Sequence, residues 1–79
     1  MKLTIVSLKG KSEHHVAWIE DNTPDGNFVI QPQHAPTTFI LSEQKDFTYC
    51  LTTGKLETFT IERSALLSVE RHSALLLID

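Results

Sequence analysis

The chain has little that could staple, anchor or polarise it. A single cysteine, Cys50, leaves no intramolecular disulfide to form, which fits a reducing, cytoplasmic setting. No apolar run approaches the roughly 20 residues that span a bilayer as a helix, and no signal peptide or lipidation motif stands at either end. Seven Lys and Arg face ten Asp and Glu, a formal net charge of −3. With the basic residues scattered, there is no positive face to hold phosphates, so nucleic acid is excluded as an expected partner. Three glycines and three prolines punctuate the chain, which carries no linker, low-complexity segment or internal repeat. A single domain over 1–79 is expected, with 41% hydrophobic residues to support a modest core.

What the chain does have is alternation. Leu3 with Ile5, Val16 with Trp18, Phe28 with Ile30, Phe47 with Tyr49 and Leu51, and Phe59 with Ile61 stand at the two-residue spacing of half-buried strands. Polar breaks separate them at Lys9-Gly10-Lys11, Asn22 to Gly26, Ser42 to Asp46 and Thr53-Gly54-Lys55, the rhythm of a compact antiparallel sandwich or barrel. Trp18 is expected as a core anchor, because aromatic side chains bury the most apolar area. Ser64 to Asp79 is rich in helix formers, but continuing Leu66 or Leu67 by three or four positions meets Glu70 or Arg71. A hairpin with a polar turn at Glu70 to Ser73 explains the pattern better. Its last strand, Ala74 to Ile78, reads as an exposed apolar edge, an aggregation risk unless a partner covers it.

The densest information lies in Asp25-Gly26-Asn27-Phe28-Val29-Ile30-Gln31-Pro32-Gln33-His34-Ala35-Pro36. Asp-Gly is a hairpin-type turn signal, since glycine tolerates positive φ, and Phe28 and Ile30 then share the inner face of a strand. Pro32 and Pro36 each remove a backbone donor and push the preceding residue towards extended geometry. Gln33 to Ala35 should therefore form a stiff exposed loop with His34 near its tip.

Motifs that carry chemistry fail residue by residue. Gly10-Lys11-Ser12 looks like the end of a phosphate-binding loop, but the glycine required five positions earlier is Ile5. Asp21, Thr23, Asp25 and Gly26 match four positions of a calcium loop, yet the position that must supply a bidentate carboxylate is Pro32. His14, His15, His34 and His72 lie at no zinc-like spacing, and the adjacent pair faces opposite sides of a strand. No G-x-S-x-G elbow activates a serine. Catalytic residues, a resident metal and a cofactor are accordingly not expected.

The 25–36 segment resembles the N-terminal domain of the epsilon subunit of F-type ATP synthases, whose pattern at the corresponding place runs D/E-G-x-F-G-I-L-P-G-H-A-P. Met1 to Val6 (MKLTIV) is similar to that family's opening strand, and Ile61 to Asp79 (IERSALLSVERHSALLLID) to its closing hairpin. The resemblance thus covers the whole chain. It implies an all-β fold, a small flattened antiparallel β-sandwich of about eight to ten short strands. It also implies a structural, non-catalytic rotor component that binds the gamma subunit of the central stalk and rests on the polar loops of the c-ring, coupling ion flow to ATP synthesis or hydrolysis. Such a chain sits peripherally on the cytoplasmic side of the inner (plasma) membrane, held there only through the complex, and is a monomer when isolated. Gly26 and Asn27 correspond to the turn facing the c-ring, and Pro32, His34, Ala35 and Pro36 to a subunit-interface loop.

The sequence departs from the family at four places. Asn27 stands for an acidic residue, Val29 and Gln33 for two glycines, and Ser64-Ala65 for a frequent glycine pair. The family's inhibitory C-terminal helical hairpin has no counterpart in these 79 residues, so hairpin-based inhibition is not expected. The alternative is a freestanding epsilon-like sandwich module with another protein or a small ligand as partner.

Overall fold

The computed structural model describes all 79 residues and contains strands and turns but no helix. The eight strands are β1 (Lys2–Ser7), β2 (Gly10–Thr23), β3 (Gly26–Ile30), β4 (Thr37–Leu41), β5 (Lys45–Leu51), β6 (Leu56–Ile61), β7 (Ala65–Val69) and β8 (Ser73–Ile78). They form one curled sheet in the order β4-β7-β8-β1-β2-β5-β6, with β3 attached to β2. The curl folds this sheet into a flattened body of 28 × 27 × 19 Å, whose short dimension suits two layers about 10 Å apart plus their outer side chains.

The 14-residue β2 makes this possible, because it belongs to both layers. Its first half pairs with β1, from Ser7↔Gly10 to Lys2↔His15, and its second half pairs with β3 and β5. The register against β5 shifts between Val16 and Trp18, a bulge that bends the strand and inserts one residue into the alternation. Val16 and Ile19 are consequently both fully buried. Trp18 lies outside the core cluster and is only half-buried, which corrects the expectation that it anchors the core beside Val16.

The core is built from inward positions of both layers, with Leu3, Ile19, Ile30, Phe47, Ile61, Leu67 and Leu76 at its centre. Phe47 stacks obliquely between Tyr49 and Phe59, with ring centroids 6.3 and 5.4 Å away. Ile30 is fully buried, whereas Phe28, on the same face of β3, is 40% exposed because it sits at the margin of the layer against Phe39, 5.4 Å between centroids.

The 64–79 segment is the hairpin β7–β8, closed by Glu70 to His72, with Ala65↔Ile78 to Val69↔Ala74 in antiparallel register. β8 is not an edge. It lies between β7 and β1, and its pairing with β1 is the one parallel ladder in the fold, from Lys2↔Ser73 to Val6↔Leu77. The ends of the strand path are β4 and β6 instead. Short β-hairpins cannot place two chain ends side by side in parallel, so this long-range contact closes the fold between its first and last strands.

Candidate interaction surface

The outward face of the β4-β7-β8-β1 layer follows from the same alternation that fills the core. On β7, Ala65, Leu67 and Val69 point inward, leaving Leu66 and Ser68 outward; on β8, Ala74 and Leu76 point inward, leaving Leu75 and Leu77 outward. Register then aligns the outward apolar residues. Ile40 is opposite Leu66, Leu66 opposite Leu77, and Leu77 opposite Val6, so one apolar row crosses four strands over about 14 Å. Ile40 is 68% exposed and Leu77 41%.

The next row reads Thr38, Ser68, Leu75 and Thr4, which sets Leu75 in a hydroxyl-lined strip beside the first. A shallow hollow of about 440 Å³ lies at the Ile40 to Leu77 end, walled by Leu66, Ala65 and Ile78. At the β1–β2 side the face is bounded by the ion pair Lys2 Nζ to Glu13 Oε2, 2.8 Å. That bond, together with the Lys2 charge, holds the Glu13 carboxyl below its usual range. A contiguous apolar patch with a polar rim has the anatomy of a protein-binding surface.

The sequence-derived site residues fall in two places. Gly26 has φ +133° and opens β3 after the turn at Pro24-Asp25, where the Thr23 hydroxyl donates to the Gly26 carbonyl at 3.2 Å and accepts from the Asp25 N–H at 3.1 Å. Asn27 donates its amide to Asn22 Oδ1 at 3.2 Å. Pro32, His34, Ala35 and Pro36 follow the other end of β3. The strand separates the turn from the loop by about 13 Å, so the two groups flank β3 rather than forming one cluster.

The loop is docked rather than free. The Gln33 N–H donates to the Arg71 carbonyl at 2.8 Å and its side-chain amide to His72 Nδ1 at 3.3 Å, tying it to the β7–β8 turn. Gln33 itself has φ +73°, so the position occupied by glycine in the resembling family requires a left-handed backbone here as well, while Val29 is an ordinary strand residue paired with Glu20. His34 is half-buried and not at an exposed tip. Its Nδ1 donates to the Ala35 carbonyl at 2.7 Å, and its ring packs against Phe39 at 6.2 Å.

Two structural features escaped sequence reasoning. The apolar row depends on register between strands distant in sequence, and only the unbroken Leu75-Leu76-Leu77 run hinted that one leucine-bearing face has to look outward. The other is Asp21, placed inward by the bulge in β2, 0% exposed, with neither carboxylate oxygen bonded to the protein. Burial pushes its pKa up to about 6, against an opposing pull from His34. Burial likewise raises the Tyr49 phenol.

No protein-family model matches the sequence, and no curated protein matches it. Solved structures do match its fold. One is a chain in a structure of the central stalk and c-ring of Tetrahymena thermophila mitochondrial ATP synthase, with TM-score 0.81 and 14% identity, covering 100% of this chain and 63% of that one. Another is a chain in a structure of the Euglena gracilis mitochondrial ATP synthase that includes the c-ring, with TM-score 0.86 and 18% identity, covering 96% of this chain and 48% of that one. The present chain therefore spans about half to two thirds of the length of these neighbours. At such identities the likeness establishes the fold, an all-β architecture also found within rotary ATP synthases.

Proposed function

We propose that the chain is a non-catalytic, epsilon-like component of the central stalk of an F-type ATP synthase, binding the gamma subunit and contacting the c-ring so that rotation couples ion flow to ATP synthesis or hydrolysis. The observation that carries this reading is the apolar row Ile40-Leu66-Leu77-Val6 on a fold matched over its whole length by a chain from a central stalk and c-ring structure. A torque-bearing part needs a pre-formed, rigid contact, and a row held by four hydrogen-bonded strands loses little entropy on docking.

In this reading the apolar row takes gamma, Gly26 and Asn27 face the c-ring loops, and Pro32, His34, Ala35 and Pro36 form a second subunit contact. Asn27 offers hydrogen bonds and no charge to the c-ring. Membrane association comes only through the complex, on its peripheral face.

The test is co-expression with the gamma subunit encoded in the same genome, followed by size-exclusion chromatography with mass determination. A one-to-one complex is expected. A folded monomer beside free, folded gamma would overturn the proposal in favour of a freestanding module.

A further inference from the structure

The outward face of the β4-β7-β8-β1 layer differs from the rest of the surface in charge as well as in apolarity. β4, β7 and β8 contain no charged residue, so Thr38, Ile40, Leu66, Ser68, Leu75 and Leu77 present a neutral field across three strands. Charge enters only at the β1–β2 margin, as Lys2, Lys11 and Glu13, and there Lys2 and Glu13 are already paired with each other. This layer therefore carries a formal +1, and because the whole chain carries −3, the remainder carries −4. Two copies meeting through the remainder bring like charge together, whereas two meeting through this face set neutral and apolar groups against each other.

The area is that of a reversible contact. The flattened body is 28 × 27 Å across its layers, so a second copy laid flat on the face covers an ellipse of roughly 600 Å² on each partner, about 1,200 Å² in all. Specific interfaces begin at about 1,200 Å², and obligate dimers bury about 2,000 Å² or more.

We propose that this face is a self-association surface, on which two copies of the chain pack layer against layer across a two-fold axis as a weak dimer. Charge selects the orientation. A two-fold axis along the apolar row would set Lys2 and Lys11 of both copies at the same margin. An axis along the strands instead places the β1–β2 margin of each copy over the uncharged β4 end of the other. The rows then run in opposite directions, with Ile40 over Val6 of the second copy and Leu66 over its Leu77. The hollow walled by Ile40, Leu66 and Leu77 takes the Val6 end of the opposing row. Outer side chains interdigitate as in any aligned packing of two sheets. The monomer implied by the family resemblance is the dilute limit of this equilibrium. Because the dimer covers the row proposed to take gamma, dimer and stalk complex exclude each other; that consequence rests on the rotor reading, and the dimer itself does not.

The experiment is sedimentation velocity on the full chain without gamma, from about 1 µM to about 1 mM, with amide and methyl NMR shifts followed over the same dilution. A monomer–dimer equilibrium with a Kd on the order of 10–100 µM is expected, with the shifts that move on dilution concentrated at Ile40, Leu66, Leu75, Leu77 and Val6. Leu77→Lys should weaken the dimer at least about tenfold, and Thr58→Lys, on the outer face of the other layer, should leave it unchanged. Orientation is read from a mixture: Ile40→Lys and Val6→Glu should each dimerise poorly alone and regain dimer when combined, because the heterodimer sets the new lysine over the new glutamate. A monomer through about 1 mM, or a dimer weakened by Thr58→Lys and not by Leu77→Lys, would overturn the proposal and leave the face to gamma alone. A mixture no tighter than its components would refute the orientation. If Leu77→Lys does not fold, the wild-type dilution shifts decide: confinement to this face supports the dimer, and shifts centred on β5 and β6 refute it. Gamma is absent throughout, so failure of the dimer and failure of the rotor reading are distinguishable.

Discussion

Replacing Asp21 with Asn should remove most of the acid dependence of global stability that this domain owes to its interior. In the folded chain the Asp21 carboxyl titrates near 6, against 3.8 for an unperturbed aspartate. As pH rises past about 4 the unfolded chain releases this proton first, while the folded chain keeps it, so unfolding gains ground until the folded group also ionises. Stability from this group is therefore fully present below pH 3.8 and lost as pH rises through about 6. A displacement of about two units corresponds to about 3 kcal/mol, a large share of the 5–15 kcal/mol typical of a folded domain. Asparagine is neutral throughout, but its amide also lacks partners, so the absolute gain at pH 7 is smaller than the slope it removes. Urea unfolding of both proteins at pH 4, 5, 6 and 7 measures the difference directly. The wild type should lose about 3 kcal/mol relative to the variant between pH 4 and 7, all of it below about pH 6.5. An offset between the two that stays constant with pH would refute the claim that Asp21 is buried uncharged.

Other substitutions separate the core from the surfaces. Ile30→Ala should cost about 2–5 kcal/mol through lost burial and a cavity, while Phe28→Ala should cost about 1–2 kcal/mol, since its ring already meets water and loses chiefly its pairing with Phe39. Equal melting shifts would mean that β3 is misregistered. Gln33→Val should destabilise by about 1–2 kcal/mol because a β-branched residue resists the left-handed backbone, whereas Gln33→Gly should be neutral or stabilising in the same thermal melts. Leu77→Lys should leave folding within about 1 kcal/mol of wild type and weaken gamma binding at least about tenfold in a titration.

Much of this fold is written locally. The alternation of Phe47, Tyr49 and Leu51, the Asp25-Gly26 turn and the polar interruption at Glu70 to His72 each specify a strand or hairpin without reference to the rest of the chain. What alternation cannot show is where it slips. The bulge between Val16 and Trp18 turned an apparent apolar pair into one core residue and one marginal one, and it carried Asp21 inside. Nor does local pattern reveal long-range pairing. The parallel β1–β8 ladder made an apparent edge strand central, and it is the same ladder that aligns Val6 with Leu77 to complete the apolar row. The loop residues Pro32 to Pro36 were legible as a feature because proline and histidine chemistry is local. Their docking on Arg71 and His72 was not, because it joins segments nearly forty positions apart.

The most direct test of the rotor reading is a photocrosslinking amino acid placed at position 77, in the apolar row, and separately at position 58, on the outward face of β6, within the assembled ATP synthase. Crosslinks from position 77 to the gamma subunit, with none from position 58, are the expected result. Crosslinks to gamma from position 58 alone, or no incorporation of the chain into the enzyme at all, would contradict the proposed docking face and the role built on it.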